Sequence, residues 1–160
     1  MQERFAADRT LGKLAKWLRI LGYDTLYERP DAERDVLRRA QEQGRIVLTR
    51  KRDWARHALP GRLVVVEADR VEAQIDEVLS ALNIVPDPAE RMTRCLHCNA
   101  LLQEVPKASV EALVPAYVHA SCDRFRRCPC CGKIYWPGTH TRHVDEYLRT
   151  HVPARRLPQF

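Results

Sequence analysis

The sequence predicts an α/β protein: a mainly parallel sheet flanked by helices, followed by a small cysteine-bearing unit. Three observations predict it. Short apolar runs alternate with amphipathic segments through residues 1–85, a Pro86-Asp87-Pro88 break follows, and all six cysteines fall between Cys95 and Cys131. A chain of 160 residues holds one domain of about 90 residues plus an appendage, not two large domains. With 45% hydrophobic residues and only six glycines, its composition is that of a folded chain, not a disordered or collagen-like one.

Each element follows from its residues. Arg4-Phe5-Ala6-Ala7 reads as a strand ending at Asp8, after which Leu11, Leu14, Ala15, Leu18 and Leu21 recur at helical spacing until Gly22 stops the run. Residues 23–27 form a second strand. A helix over 31–43 follows, with Val36, Leu37 and Ala40 inward and Gly44 as its stop. Residues 45–49 and 62–66 are β-branched apolar runs of the kind buried on both faces, and Val71, Ile75, Val78, Leu79 and Leu82 mark a last helix over 72–83. The expected order, β-α-β-α-β-α-β-α with short loops, implies a parallel sheet with right-handed crossovers and helices on both sides. Residues 86–93 read as a linker, 94–138 as the cysteine unit, and 139–160 as a helix with Val144, Tyr147 and Leu148 on one face, then a tail.

Charge narrows the partners. Against 21 Asp+Glu stand 27 Lys+Arg, of which 22 are Arg, giving a net charge of +6. Arginine suits bidentate phosphate contacts, so an anionic partner is favoured, although a charge of this size also serves solubility. No stretch approaches the ~20 apolar residues of a membrane span, and the first residues lack the apolar core of a signal peptide, so the chain is expected in the cytoplasm. A reducing compartment argues against a disulfide framework and for metal binding.

Cys95-Leu96-His97-Cys98 and Cys128-Pro129-Cys130-Cys131 are two CxxC pairs with 29 residues between them. Two such knuckles supply the tetrahedral sulfur shell that Zn²⁺ accepts, which assigns Cys95, Cys98, Cys128 and Cys131 as ligands of a closed, structural ion. Cys130 is a competing donor that the spacing disfavours, and Cys122 reads as a small buried thiol. His97, His119, His140 and His143 have weaker claims as ligands than as ordinary imidazoles.

In a parallel sheet, residues just past the strand ends collect along one edge, where open α/β folds place their sites. Asp8, Asp31, Asp35, Asp53, Glu67 and Asp69 all stand in such positions. Converging carboxylates would hold Mg²⁺ or Mn²⁺ for phosphodiester cleavage; taken singly, each reads first as a helix cap or turn residue. Cations crowd the same region: Arg9, Lys13, Lys16 and Arg19 on the first helix, then Arg50, Lys51 and Arg52. Arg9, Lys13 and Lys16 share a helix face that can track a phosphate backbone or simply be solvated.

The strings Phe5-Ala6-Ala7-Asp8-Arg9-Thr10-Leu11-Gly12-Lys13-Leu14-Ala15-Lys16, Leu21-Gly22-Tyr23-Asp24 and Gly44-Arg45-Ile46-Val47-Leu48-Thr49-Arg50 resemble the Mut-seven carboxy-terminal RNase domain family. So do Arg94-Cys95-Leu96-His97-Cys98-Asn99 and the run from Cys128 to His140. The resemblance extends from about residue 4 to about 148. It implies a PIN-like nuclease fold joined to a zinc ribbon, with metal-dependent RNA cleavage at an acidic site. Carried over by position, it makes Asp8 the first acid and Asp35, ahead of Asp31 or Glu33, the second. At the third position this chain departs from the pattern. Lys51 follows Leu48-Thr49-Arg50 where the family has an aspartate, so Asp53 is the substitute, because an ammonium group repels a divalent cation. The expected function is a metal-dependent endoribonuclease. Asp8, Asp35 and Asp53 are its acids, Arg9, Lys13, Lys16, Arg50 and Lys51 its RNA contacts, and Tyr135 and Trp136 candidates for stacking on an unpaired base or, at least as readily, for packing the ribbon against the sheet domain. The alternative is an RNA-binding adaptor that has lost its catalytic metal.

Overall fold

The computed structural model describes residues 2–27, 33–57 and 62–151, apart from the side chains of residues 33–35, 139–141 and 151. The chain divides into two compact units, residues 1–91 and 92–160.

In the first unit β1 (Arg4–Ala7), β2 (Asp24–Tyr27), β3 (Ile46–Thr49) and β4 (Leu63–Val65) form a parallel sheet in the order β2-β1-β3-β4. Its helices are α1 (Gly12–Ile20), α2 (Glu33–Glu42) and α3 (Val71–Ala81). In a strand successive side chains point to opposite faces. Ala6 of β1 and Val47 of β3 accordingly pack against Val36 and Ala40 of α2 and against Trp54. Phe5 and Ala7, of opposite parity and fully buried, face the other side, where α1 and α3 pack together. One expected element is replaced. Between β3 and β4 the described residues form a five-residue 3-10 turn, Arg52–Arg56, instead of a crossover helix. Trp54 is the only residue of that turn that reaches the core, so the segment lacks the repeated apolar stripe a helix would bury.

Arg45 fastens the end of the sheet opposite the acidic edge. Its guanidinium donates to both Asp24 carboxylate oxygens at 2.7 and 3.2 Å and to the Phe5 and Asp24 carbonyls, while its Nε donates to Gln43. Three strands are thereby tied through one nearly buried cation. Removing one member of such a pair strands the other, a loss of about 3–5 kcal/mol when both are buried. Since Asp24 keeps some solvent contact, Arg45→Ala is expected to lower stability by about 2–3 kcal/mol in urea unfolding. Gly22 closes the α1–β2 joint at φ +97°. A β-carbon there would meet the backbone oxygen of Glu90 and approach Glu90 Cβ to 2.7 Å, so the joint needs glycine twice over.

In the second unit β5 (Gln103–Val105), β6 (Phe125–Arg127) and β7 (Ile134–Tyr135) form an antiparallel sheet in that order, accompanied by α4 (Ala116–Ser121) and α5 (Thr139–His151). Val110, Val114, Val118 and Phe125 make a small core on which Val105, Cys122, Ile134 and Trp136 pack. Among the described residues no helix is long and apolar enough to cross a membrane.

Candidate active site and metal centre

Asp8 directly follows β1, between the ends of β2 and β3, and is 1% exposed. Its backbone N–H continues the ladder to Leu48 at 2.9 Å. One carboxylate oxygen accepts from the Thr10 amide at 2.8 Å and the Thr10 hydroxyl at 2.6 Å. The other accepts from the Thr49 hydroxyl at 2.6 Å and the Arg50 amide at 3.1 Å. Asp8 thus caps the 3-10 turn Arg9–Leu11, as the local reading allowed, and also bonds to the end of β3. Burial alone would raise its pKa. The Thr10 and Thr49 hydroxyls and the Thr10 and Arg50 amides outweigh burial and hold the carboxyl below its ordinary value.

The sign of the linkage follows. A depressed carboxyl contributes stability that is present above its unfolded-state value, near 3.8, and is lost as pH falls through the lower folded value. Unfolding measured from pH 7 to pH 3 should show a constant stability gap between wild type and Asp8→Asn down to about pH 5, narrowing below about pH 4.

The other predicted residues are placed less uniformly. Asp53 lies exposed in the 3-10 turn after β3, and among the described residues the acids do not gather in threes within reach of one ion. Asp35 and Glu33 lie on α2 with side chains outside the described residues, and Asp31 lies outside them altogether. Arg9, Lys13 and Lys16 are exposed. Arg50 sends its amide to Asp8 but commits its guanidinium to the Ala68 carbonyl and the Asp69 carboxylate, both at 2.8 Å. Those partners are fixed in turn: Glu77 accepts from the Glu67 and Ala68 amides, and Gln74 donates to the Ala68 carbonyl. Lys51 holds its ammonium over the Trp54 ring, 5.2 Å from the centroid. Thr10 and Thr49, which orient Asp8, were not singled out by the sequence reading. The signal for both lies in position: Thr10 stands two residues past a turn-starting Asp, and Thr49 ends the strand adjacent to β1.

The cysteines converge. Cys95, Cys98, Cys128 and Cys131 place their sulfur atoms all within 4.8 Å of one another. Cys95 and Cys98 are 3.6 Å apart, Cys95 and Cys131 3.7 Å, and Cys98 and Cys128 3.6 Å. A tetrahedron with metal–sulfur bonds of about 2.3 Å has edges of about 3.8 Å, so the donor set fits a Zn²⁺-sized ion. The two knuckles repeat one design. The Asn99 and Gly132 amides donate to the Cys95 and Cys128 carbonyls, and the Cys98 and Cys131 amides to the Cys95 and Cys128 sulfurs. Asn99 and Gly132 both take positive φ, 67° and 74°, to close the loop.

Cys130 is exposed and outside the cluster, Cys122 is half-buried against the small core, and His119 bonds to the Lys107 carbonyl. Tyr135 reaches the first knuckle, its hydroxyl 3.1 Å from Cys95 Sγ and 3.1 Å from the Leu96 amide nitrogen, while Trp136 packs on the core. Burial would raise the Cys95 pKa, but hydrogen bonds led by that of Tyr135 hold it down, whereas Cys98 is pushed up by its neighbours, Cys131 first.

The Mut7-C RNAse domain model matches residues 3–148, a span that contains the parallel sheet, Asp8 and the four-cysteine cluster. The chain belongs to the Mut7-C family. Comparison with the curated proteins finds no match. Membership in Mut7-C points to RNase-type chemistry, with RNA as substrate or partner, and four close cysteines that can hold a metal ion give the second unit its centre.

Proposed function

We propose that this Mut7-C chain is a metal-dependent endoribonuclease of PIN-like type, with its active site at Asp8 and a structural zinc ion in the ribbon of residues 94–138. The observation that carries the reading is the Asp8 carboxylate, buried at the C-terminal edge of a central strand and held ionised there. Carboxylate oxygen is the donor a hard cation takes. Asp8 with Asp35 would hold Mg²⁺ or Mn²⁺, with Asp53 as the third acid in place of the residue at Lys51. When bound, such an ion supplies water activation and charge neutralisation at the phosphate. The protein's own part is positioning. Thr10, Thr49 and the Arg50 amide fix Asp8; Arg9, Lys13 and Lys16 draw in the RNA backbone; the Arg50 guanidinium clamps the 67–69 loop, and the Lys51 ammonium rests on Trp54.

One observation favours a second reading, RNA recognition without cleavage. Four donors already occupy the roughly four lone-pair sites of Asp8, so an ion gains entry only when a donor swings away. The threonine hydroxyls, unlike the amides, can rotate. Incubating end-labelled single-stranded RNA with the protein and Mn²⁺ separates the readings. The nuclease reading expects internal cleavage that requires the ion, together with binding that weakens as salt rises. Salt-sensitive binding without cleavage leaves the adaptor.

A further inference from the structure

We propose that Tyr135 is part of the metal centre: its hydroxyl donates its proton to the Cys95 thiolate and so sets how firmly the ion is retained. This inference rests on the four-thiolate metal reading and is independent of RNA cleavage. The direction of the bond follows from counting protons. The Leu96 amide can only donate, and it lies 3.1 Å from the phenol oxygen, so it occupies a lone pair there. A metal-bound Cys95 carries no proton. The one hydrogen available for the 3.1 Å contact between Tyr135 and Cys95 is the phenol's own.

The location explains why a side chain does this. Cys95 is fully buried, so bulk water cannot solvate its sulfur. Four thiolates around a divalent ion carry a net charge of −2, and each hydrogen bond to sulfur spreads that charge. The Cys98 amide, at 3.4 Å, and the His97 amide supply backbone bonds to Cys95, and the tyrosine adds a hydroxyl donor. The matching sulfur of the other knuckle, Cys128, accepts the Cys131 amide at 3.5 Å and has no hydroxyl partner among the described residues. The two knuckles are therefore alike in backbone and unlike around the sulfur. Because Tyr135 belongs to β7, the same hydroxyl also couples the first knuckle to the sheet, 40 residues away in sequence. The polar end of the Tyr135 ring is thus directed at the knuckle.

The test grades the donor. Full-length wild type, Tyr135→Phe and a chain carrying 3-fluorotyrosine at position 135, a stronger donor, are loaded with zinc, and its transfer to a chromogenic chelator is timed. Each is also loaded with Co²⁺, and the sulfur-to-cobalt charge-transfer band is recorded. Outer partners of metal ligands are worth about 10–100-fold in affinity. Tyr135→Phe is expected to release zinc at least about 10-fold faster, with its charge-transfer band at lower energy, and the fluorinated chain to release it more slowly, with the band at higher energy. If Tyr135→Phe fails to fold, the fluorinated chain alone decides. Release rates and band energies that do not follow donor strength overturn the role of Tyr135. A wild-type chain that takes up no cobalt overturns the four-thiolate site itself.

Discussion

Asp8→Asn protein is expected to cleave single-stranded RNA in Mn²⁺ at least about 10³-fold more slowly than wild type, a loss of roughly 4 kcal/mol in transition-state stabilisation. Two consequences of the substitution act together. It removes a negative oxygen from the proposed ion site, and it sets an NH₂ group against donors that have bonded to oxygen. The second consequence costs stability as well, about 1–3 kcal/mol for donors left without an acceptor. Circular dichroism at the assay temperature therefore accompanies the rate measurement, and the folded fraction corrects it. RNA affinity should change little, because the basic stripe of Arg9, Lys13 and Lys16 is untouched. A variant that cleaves within about tenfold of wild type would remove Asp8 from the chemistry.

Stripping the metal from the second unit should have an effect of comparable size on structure. The described cluster packed around β6 holds four buried side chains with a few neighbours on it, a small apolar core for a segment of this length, so a metal staple is expected to carry much of its stability. Structural zinc contributes about 10–16 kcal/mol of apparent binding energy in small cysteine domains at neutral pH, and that binding energy is largely folding energy. Chelation, or Cys128→Ser, is expected to abolish amide protection in β5, β6 and β7 while β1 to β4 retain theirs. Hydrogen exchange on the full chain reads both units in one experiment. Protection in β6 that survives metal removal would contradict a structural role for the ion.

Much of this architecture is written in short-range patterns. The strands were legible because Ile46-Val47-Leu48 is a short apolar run rich in β-branched residues between turn signals, and all three side chains are buried, as in a strand covered on two faces. The four-cysteine cluster was legible because two residues between cysteines fix the knuckle geometry whatever surrounds it. The crossover between β3 and β4 was misjudged because alternation is a rule about folds, whereas residues 50–57 offer Trp54 alone to the core. The surroundings of Asp8 were invisible for another reason. Thr49 is 41 positions away, and only the register of β1 against β3 brings its hydroxyl to the carboxylate. Arg50 and Lys51 had the right charge for RNA, yet charge does not reveal that one guanidinium is committed to a loop and one ammonium to an indole. Tyr135 shows the same limit: an aromatic residue near a ribbon reads as a stacking surface until its hydroxyl is placed against a sulfur.

The most direct measurement is a titration of Mn²⁺ into the uniformly ¹⁵N-labelled chain, with paramagnetic broadening read amide by amide. The account predicts saturable broadening centred on Asp8 to Thr10, on Asp35 and on Thr49 to Asp53, and its loss in Asp8→Asn. Broadening that is scattered over surface carboxylates such as Glu104 and Asp123, or that persists unchanged in Asp8→Asn, would contradict it.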